Sequence, residues 1–265
     1  MSGNSPSELR KGEPNSFIKA LEKKSSATGS RIILALDPDF RYDTGSLLKE
    51  MKGIVEATSD YVCAVKINFH LLLPLSIEEI RELNYFASSR GLASIADIKL
   101  NDIGNTNRVA TEYLWASGFS AVIVNPFAGY DDGLDAVFTG ARKLGKGVVT
   151  LAYMSHKGAE EYYGLKLQDG RTMHERFLQK AISWRADAVI LGTTRPEVIS
   201  KSKQILKDGV KIISPGSGIQ GGNPVASLLA GADYLIYGRS IVADSDPHSA
   251  VKRIYGELLS SSRAS

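Results

Sequence analysis

Residues 94–103 read Ser94-Ile95-Ala96-Asp97-Ile98-Lys99-Leu100-Asn101-Asp102-Ile103. The stretch begins as the apolar, β-branched run of a strand covered on both faces. It ends in two carboxylates and a lysine at spacings of three and two. Residues two apart on a strand point to the same face, so Asp97 and Lys99 share one face and Ile98 takes the other. Asp102 falls in the loop that follows. A core strand with a charged far end suits a parallel barrel, where functional groups gather at the carboxyl ends of the strands.

The same kind of run recurs about every thirty residues along the chain, an interval that fits one βαβ unit. The runs are Arg31–Asp37, Tyr61–Ile67, Ala93–Lys99, Ser120–Asn125, Gly147–Ala152, Asp187–Gly192, Lys211–Pro215 and Tyr234–Gly238. Helical stripes lie between them: Leu47, Leu48, Met51, Ile54 and Val55 in one, Phe177, Ala181 and Trp184 in another, Val251, Ile254 and Leu258 in a third. Early prolines at Thr194-Arg195-Pro196-Glu197 and Asp246-Pro247-His248 mark helix starts. Eight strand–helix units, with an extra helix around Phe17–Leu21, predict an α/β fold: a single-domain (β/α)8 TIM barrel over residues 15–265. Residues 1–14 and Ser260–Ser265 read as flexible tails. A doubly wound open sheet is the competing arrangement. It places a glycine-rich fingerprint after its first strand, and Leu36-Asp37-Pro38-Asp39 is not one.

The bulk properties narrow the function classes. A 265-residue chain can bury a sizeable core without cross-links, and its one cysteine, Cys63, cannot form an intrachain disulfide. That cysteine usage suits a reducing compartment, and the first fifteen residues hold no apolar signal segment, so a cytoplasmic protein is expected. No run approaches the roughly 20 apolar residues that span a bilayer. The net charge of +3 is small, with Lys and Arg spread among Asp and Glu. This argues against nucleic acid and membrane as partners.

The polar residues cluster where a barrel puts its chemistry. Strand ends carry Asp37, Lys66, Asp97 with Lys99, Met154-Ser155-His156, Pro215 to Gly222, and Gly238-Arg239. Lys66, Asp97, Lys99 and Asp102 are expected to converge on one mouth as alternating charges. Such a network could merely plug the barrel, but apolar residues of similar volume do that as well or better. A functional site is the stronger reading. The loops after strands seven and eight, where phosphate binds in such barrels, combine close-approach glycines with the guanidinium fork of Arg239. Metal binding is not expected. His70, His156, His174 and His248 show no ligand spacing, and Lys66 and Lys99 would stand beside the carboxylates. Ser155-His156 lacks the surroundings of a nucleophile–base pair.

The pattern Asp97-x-Lys99-x-x-Asp102-Ile103, with Lys66 before it and Thr106 after it, resembles the signature of orotidine 5'-phosphate decarboxylases. The resemblance runs from Ile32 to about Leu259 and includes Ala35-Leu36-Asp37, Met154-Ser155-His156, Pro215-Gly216, Gln220-Gly221-Gly222 and Gly238-Arg239-Ser240. It implies the single-domain form of a metal- and cofactor-independent enzyme that converts orotidine 5'-monophosphate to uridine 5'-monophosphate. Lys66, Asp97, Lys99 and Asp102 would be its catalytic array, with Lys99 protonating C6. Asp37 would bind the ribose beside Lys66, and Ser155 the pyrimidine. Gln220 would help a loop close between ring and phosphate. Arg239 and Gly238 would hold the phosphate, with Pro215, Gly216 and Gly221 alongside. Asp102 and Thr106 would reach into the partner subunit's site, making the active unit a homodimer. Residues Ser217 to Ile219 leave the closing-loop contacts open. Two other readings compete. Related Mg-dependent sugar-phosphate enzymes carry an acidic ligand where this chain has Lys66, and a non-catalytic nucleotide-binding barrel would share the fold.

Overall fold

Each of the eight apolar runs forms a strand in the computed structural model, which describes residues 16–39, 43–192, 195–216 and 221–263. The strands are β1 Ile32–Leu36, β2 Ala64–Asn68, β3 Ala93–Leu100, β4 Ala121–Val124, β5 Gly147–Tyr153, β6 Ala188–Leu191, β7 Lys211–Pro215 and β8 Tyr234–Tyr237. They pair in chain order, all parallel, and β8 closes on β1 through Ile32–Leu235 and Leu34–Tyr237. All residues of β1 and β5 are buried, as expected for strands with side chains on one face filling the barrel and on the other meeting helices.

The helices are α1 Ser16–Thr28, α2 Thr44–Thr58, α3 Phe69–Leu72, α4 Ile77–Ser89, α5 Gly104–Ala116 and α6 Asp135–Leu144. They continue as α7 Glu160–Tyr163, α8 Met173–Trp184, α9 Pro196–Leu206, α10 Pro224–Leu229, α11 Arg239–Val242 and α12 Pro247–Arg263. The three apolar stripes read from the sequence are buried. Local signals set the helix starts. Asp43 accepts the Gly45 N–H ahead of α2, a capping box pairs Ser76 with Glu79 at α4, and Pro196 opens α9. The expected tail from Ser260 is corrected: α12 runs on to Arg263. Buried Leu258 anchors this last stretch, and the hydroxyls of Ser260 and Ser261 bond back to the Glu257 carbonyl. The expected tail over residues 1–14 lies outside the described residues, as does Thr194.

The two ends of the barrel differ. Helix α1 is longer than the Phe17–Leu21 signal, and its buried face, Phe17, Ile18 and Leu21, sits under the amino ends of the strands. A methyl group added at Gly147, the first residue of β5, would collide with the Phe17 ring and with Ala121. The floor is thus sealed by an aromatic side chain resting on a bare backbone. The carboxyl ends carry the loops. Between β4 and α6 the chain makes a 3-10 turn, Pro126–Ala128, and a π-type turn, Tyr130–Leu134, broken by non-helical Asp131 and Asp132. Among the described residues no helix is long and apolar enough to cross a membrane.

Phe17→Ala should therefore weaken the fold by about 3 kcal/mol, the cost of emptying an aromatic site in a core. Urea unfolding measures it. A loss well under 1 kcal/mol would mean that α1 does not seal the floor.

Candidate active site

The carboxyl ends of the strands surround an open cavity of about 340 Å³, a size suited to a small ligand. Its lining is divided. Strands β2 and β3 and the residue after β1 supply Asp37, Lys66, Asn68, Asp97 and Lys99. Strands β4, β5, β6 and β8 supply Ile123, Leu151, Ile190 and Ile236. Pro215, Gly216, Gly238 and Arg239 line it from the seventh and eighth strand ends.

The charged half is one connected network. The β2–β3 register sets Asn68 beside Asp97, with Lys66 two residues earlier on the same face. Lys66 Nζ donates to Asp97 Oδ2 at 2.6 Å and also to Asn68 Oδ1. Lys99 Nζ donates to Asp97 Oδ1 at 2.7 Å. Asn68 Nδ2 donates to Asp37 Oδ2 at 3.0 Å. Asp97 and Lys66 keep only 9% and 7% of their side-chain surface, while Lys99 keeps 39%. Burial alone would raise the Asp97 carboxyl. The two ammonium groups outweigh it and hold the carboxyl below its ordinary value.

Lys99 reaches this position by a route that strict alternation does not describe. Between Ala96 and Leu100 the register of β3 shifts against β4, where the matching partners are only Val122 and Val124. Lys99 takes the left-handed backbone, φ +46°. For a residue with a side chain that costs on the order of 1 kcal/mol. The bulge turns the lysine back toward Asp97, so the ion pair and the distorted strand end form together.

Asp102 and Thr106 stand apart from the cavity within this chain. Both are exposed and neither lines it. Of the four charges expected at one mouth, Lys66, Asp97 and Lys99 line this chain's cavity and Asp102 does not. Beyond the bulge the loop turns outward, and Asp102 Oδ1 accepts the Ile103 N–H at 2.7 Å.

The remaining predicted residues divide similarly. Ser155 lines the cavity at the end of β5, and a Cβ at Gly192 would come within 2.8 Å of its Cα, so that glycine lets β6 approach it. Gly216 has φ +102°, which glycine adopts without strain, and its carbonyl accepts the Gly222 N–H at 3.3 Å. Gly221 is exposed and does not line the cavity, and Gln220 lies outside the described residues. His156 is exposed, as a surface histidine should be.

Asn68 was missed, although its position two residues after Lys66 on an inward face was a usable signal. His70 reads from the sequence as a surface or satisfied core residue. Its Nε2 stands 2.9 Å from Asp37 Oδ1, yet off the line of a hydrogen bond. Among the described residues, Asp37 Oδ1 and Ser240 Oγ are buried at the cavity without hydrogen-bond partners. Such atoms suit a ligand rich in hydroxyl and anionic oxygens. Among the described residues, no three His, Cys, Asp or Glu side chains come together as a metal ligand set.

Because the Asp97 carboxyl is held below its ordinary value near 4, its ionised form stabilises the fold above that pH, and the contribution is lost as pH falls through the lower folded value. Asp97→Asn should cost about 3 kcal/mol at pH 6 by leaving Lys66 buried without its counter-charge. The gap to the parent should narrow below about pH 4. Urea unfolding across this range checks it; a gap independent of pH would dissociate stability from the carboxylate.

The sequence pattern of the orotidine 5'-phosphate decarboxylase / HUMPS family matches residues 30–254. The orotidine 5'-phosphate decarboxylase of Pyrococcus abyssi is 37% identical over 227 residues, 86% of this chain and 98% of the relative. Among solved structures, the orotidine 5'-phosphate decarboxylase of Pyrococcus horikoshii superposes with a TM-score of 0.71 at 35% identity, covering 86% of this chain and 99% of that one. The orotidine 5'-monophosphate decarboxylase of Methanocaldococcus jannaschii, complexed with the inhibitor BMP, gives 0.72 at 29% identity, with 86% and 98% covered. A closed barrel with a Lys–Asp–Lys array at its mouth, matched over nearly its whole length, places this chain in the orotidine 5'-phosphate decarboxylase / HUMPS family.

Proposed function

We propose that the chain decarboxylates orotidine 5'-monophosphate to uridine 5'-monophosphate, the step that completes the pyrimidine nucleotide, without metal or organic cofactor. The observation that carries this reading is the Asp97 carboxylate clasped by Lys66 and Lys99 at 2.6 and 2.7 Å. Loss of CO₂ breaks the bond from C6 to the carboxylate carbon and leaves the electron pair on C6. Preorganised ammonium groups stabilise that charge better than water, since they need no reorientation as it develops. The Lys99 ammonium then gives its proton to C6, forming the C–H bond and leaving a neutral amine. Its partial exposure lets solvent restore the proton. Lys66, buried and bonded to both Asn68 and Asp97, holds the array in place.

The rest of the substrate follows from the cavity walls. Asp37, whose Oδ1 faces His70 Nε2 and whose Oδ2 accepts from Asn68, takes the ribose hydroxyls beside Lys66. Ser155 meets the pyrimidine over the apolar half. Arg239 and the backbone at Gly238, Gly216 and Pro215 receive the phosphate. Phosphate binding far from C6 supplies energy to hold the reactive geometry.

Both oxygens of Asp97 are engaged by ammonium groups, which leaves little to attract a divalent cation there. The Mg-dependent sugar-phosphate reading needs an acidic ligand where Lys66 stands. A binding-only barrel has no use for an ammonium held on a left-handed backbone. The active unit is a homodimer in which Asp102 and Thr106 serve the partner's site. Their exposure outside their own cavity supports this, as does Ile103 between them, left 68% exposed. We read residues 15–265 as one catalytic domain, and the lone buried Cys63 supports a cytoplasmic location.

The purified protein in excess EDTA should consume the ultraviolet band of orotidine 5'-monophosphate and release equimolar CO₂. Lys99→Ala should lower kcat by about a thousandfold or more. No turnover in EDTA, with turnover of a sugar phosphate once Mg²⁺ is added, would replace this reading with the sugar-phosphate one. Arg239→Ala should raise KM by about ten- to a hundredfold; an unchanged KM would move the phosphate elsewhere.

A further inference from the structure

The loop that carries Asp102 is held by its neighbour rather than by the cavity. Asn107, in the first turns of α5, is fully buried at 0% exposure. Its Nδ2 donates to two backbone carbonyls, that of Asp102 and, at 2.9 Å, that of Gly133. Gly133 lies in the π-type turn after β4, so one side chain fastens the β3–α5 loop to the β4–α6 loop. A second contact lies beside it. A Cβ at Gly104, the first residue of α5, would fall 3.0 Å from the Asp132 carbonyl oxygen, so the helix start rests directly on the same turn.

The clamp has a chemical oddity. Among the described residues, the Oδ1 of Asn107 has no hydrogen-bond partner although it is buried. Leaving a buried amide oxygen unmet is unfavourable, because it gives up its bonds to water without replacing them. An apolar side chain would avoid that cost but would lose both donations. The amide therefore serves its two N–H bonds, and these end on Asp102 and on the turn beneath it. Exposed Thr106 precedes Asn107 on the same helix, so the clamp also sets its place.

We infer that Asn107 is a positioning residue that fixes where Asp102 is presented to the partner subunit's site. The inference rests on the shared-site homodimer proposed above. Its distinguishing consequence is that damage at Asn107 appears in the partner's site and not in the chain's own.

Subunit mixing reads this out. Asn107→Ala alone should lose about a hundredfold in kcat/KM, the scale of a catalytic group displaced by about 1 Å. After exchange at equal amounts with Lys99→Ala protein, itself inactive, the mixed dimer pairs the intact Lys99 of one chain with the well-held Asp102 of the other. Activity should climb to about a quarter of the parent's, because half of the dimers then hold one complete site. Failure to climb would overturn the proposal, since Asn107 would then be supporting its own barrel. Mixing Lys99→Ala with Asp102→Ala tests the underlying reading separately. Recovery there without recovery for Asn107→Ala rejects Asn107 alone; no recovery in either mixture, with exchange demonstrated by tagged subunits, rejects the shared site and the proposal with it. Should Asn107→Ala not fold, Gly104→Ala, which pushes the same loop off Asp132, carries the identical test and the same two outcomes.

Discussion

A carboxylate almost without solvent, held between two ammonium groups, is the constraint around which this molecule is arranged. An ionised group in a protein interior is tolerated only when paired and hydrogen-bonded. Asp97 satisfies this through Lys66 on one oxygen and Lys99 on the other. Each requirement propagates outward. Lys66 needs further acceptors and finds Asn68, and Asn68 turns its amide to Asp37. Lys99 must fold back, which bends the end of β3 into a left-handed residue and shifts its register with β4. The loop beyond is thereby thrown to the surface, where Asp102 and Thr106 lie.

The same arrangement divides the cavity into two solvents. On one side fixed charges stand ready without reorganising. On the other, Ile123, Leu151, Ile190 and Ile236 offer water no hydrogen bonds, so a ligand displaces it there at little cost. A planar ligand with one charged edge and one apolar face fits between them. Electrostatic interactions gain strength where water is absent, so the apolar strands matter to the charged ones without touching the chemistry.

Much of this was legible in the chain. All eight strands announce themselves because a strand covered on both faces has few polar positions to blur it, and the charges at the ends of β2 and β3 and just after β1 mark the mouth. The limits are equally physical. Period-two reasoning assumes a regular pleat, so it placed Lys99 on the correct side but could not foresee the bulge. Asn68 is a neutral residue among charges and drew no attention, although its spacing from Lys66 was sufficient. That Asp102 leaves its own chain's cavity was not legible in its spacing, which carries no information about which way a loop leaves a strand. The serines near the carboxyl terminus suggested a tail, whereas their hydroxyls bond back into the last turns of α12.

The seal beneath the barrel bears on how the chain comes to be folded. Phe17 meets Gly147, 130 residues later, and β1 finds its second neighbour only in β8, at Leu235 and beyond. A chain that emerges from its amino end therefore produces its plug first, while nearly everything the plug rests on has yet to be synthesised. The apolar face of α1 must wait for a floor that exists only after the fifth strand is in place. Until the eighth arrives, β1 keeps an open edge. Helix α1 is made before any strand and is among the last elements to be covered, so its apolar face stays open to other chains through that interval.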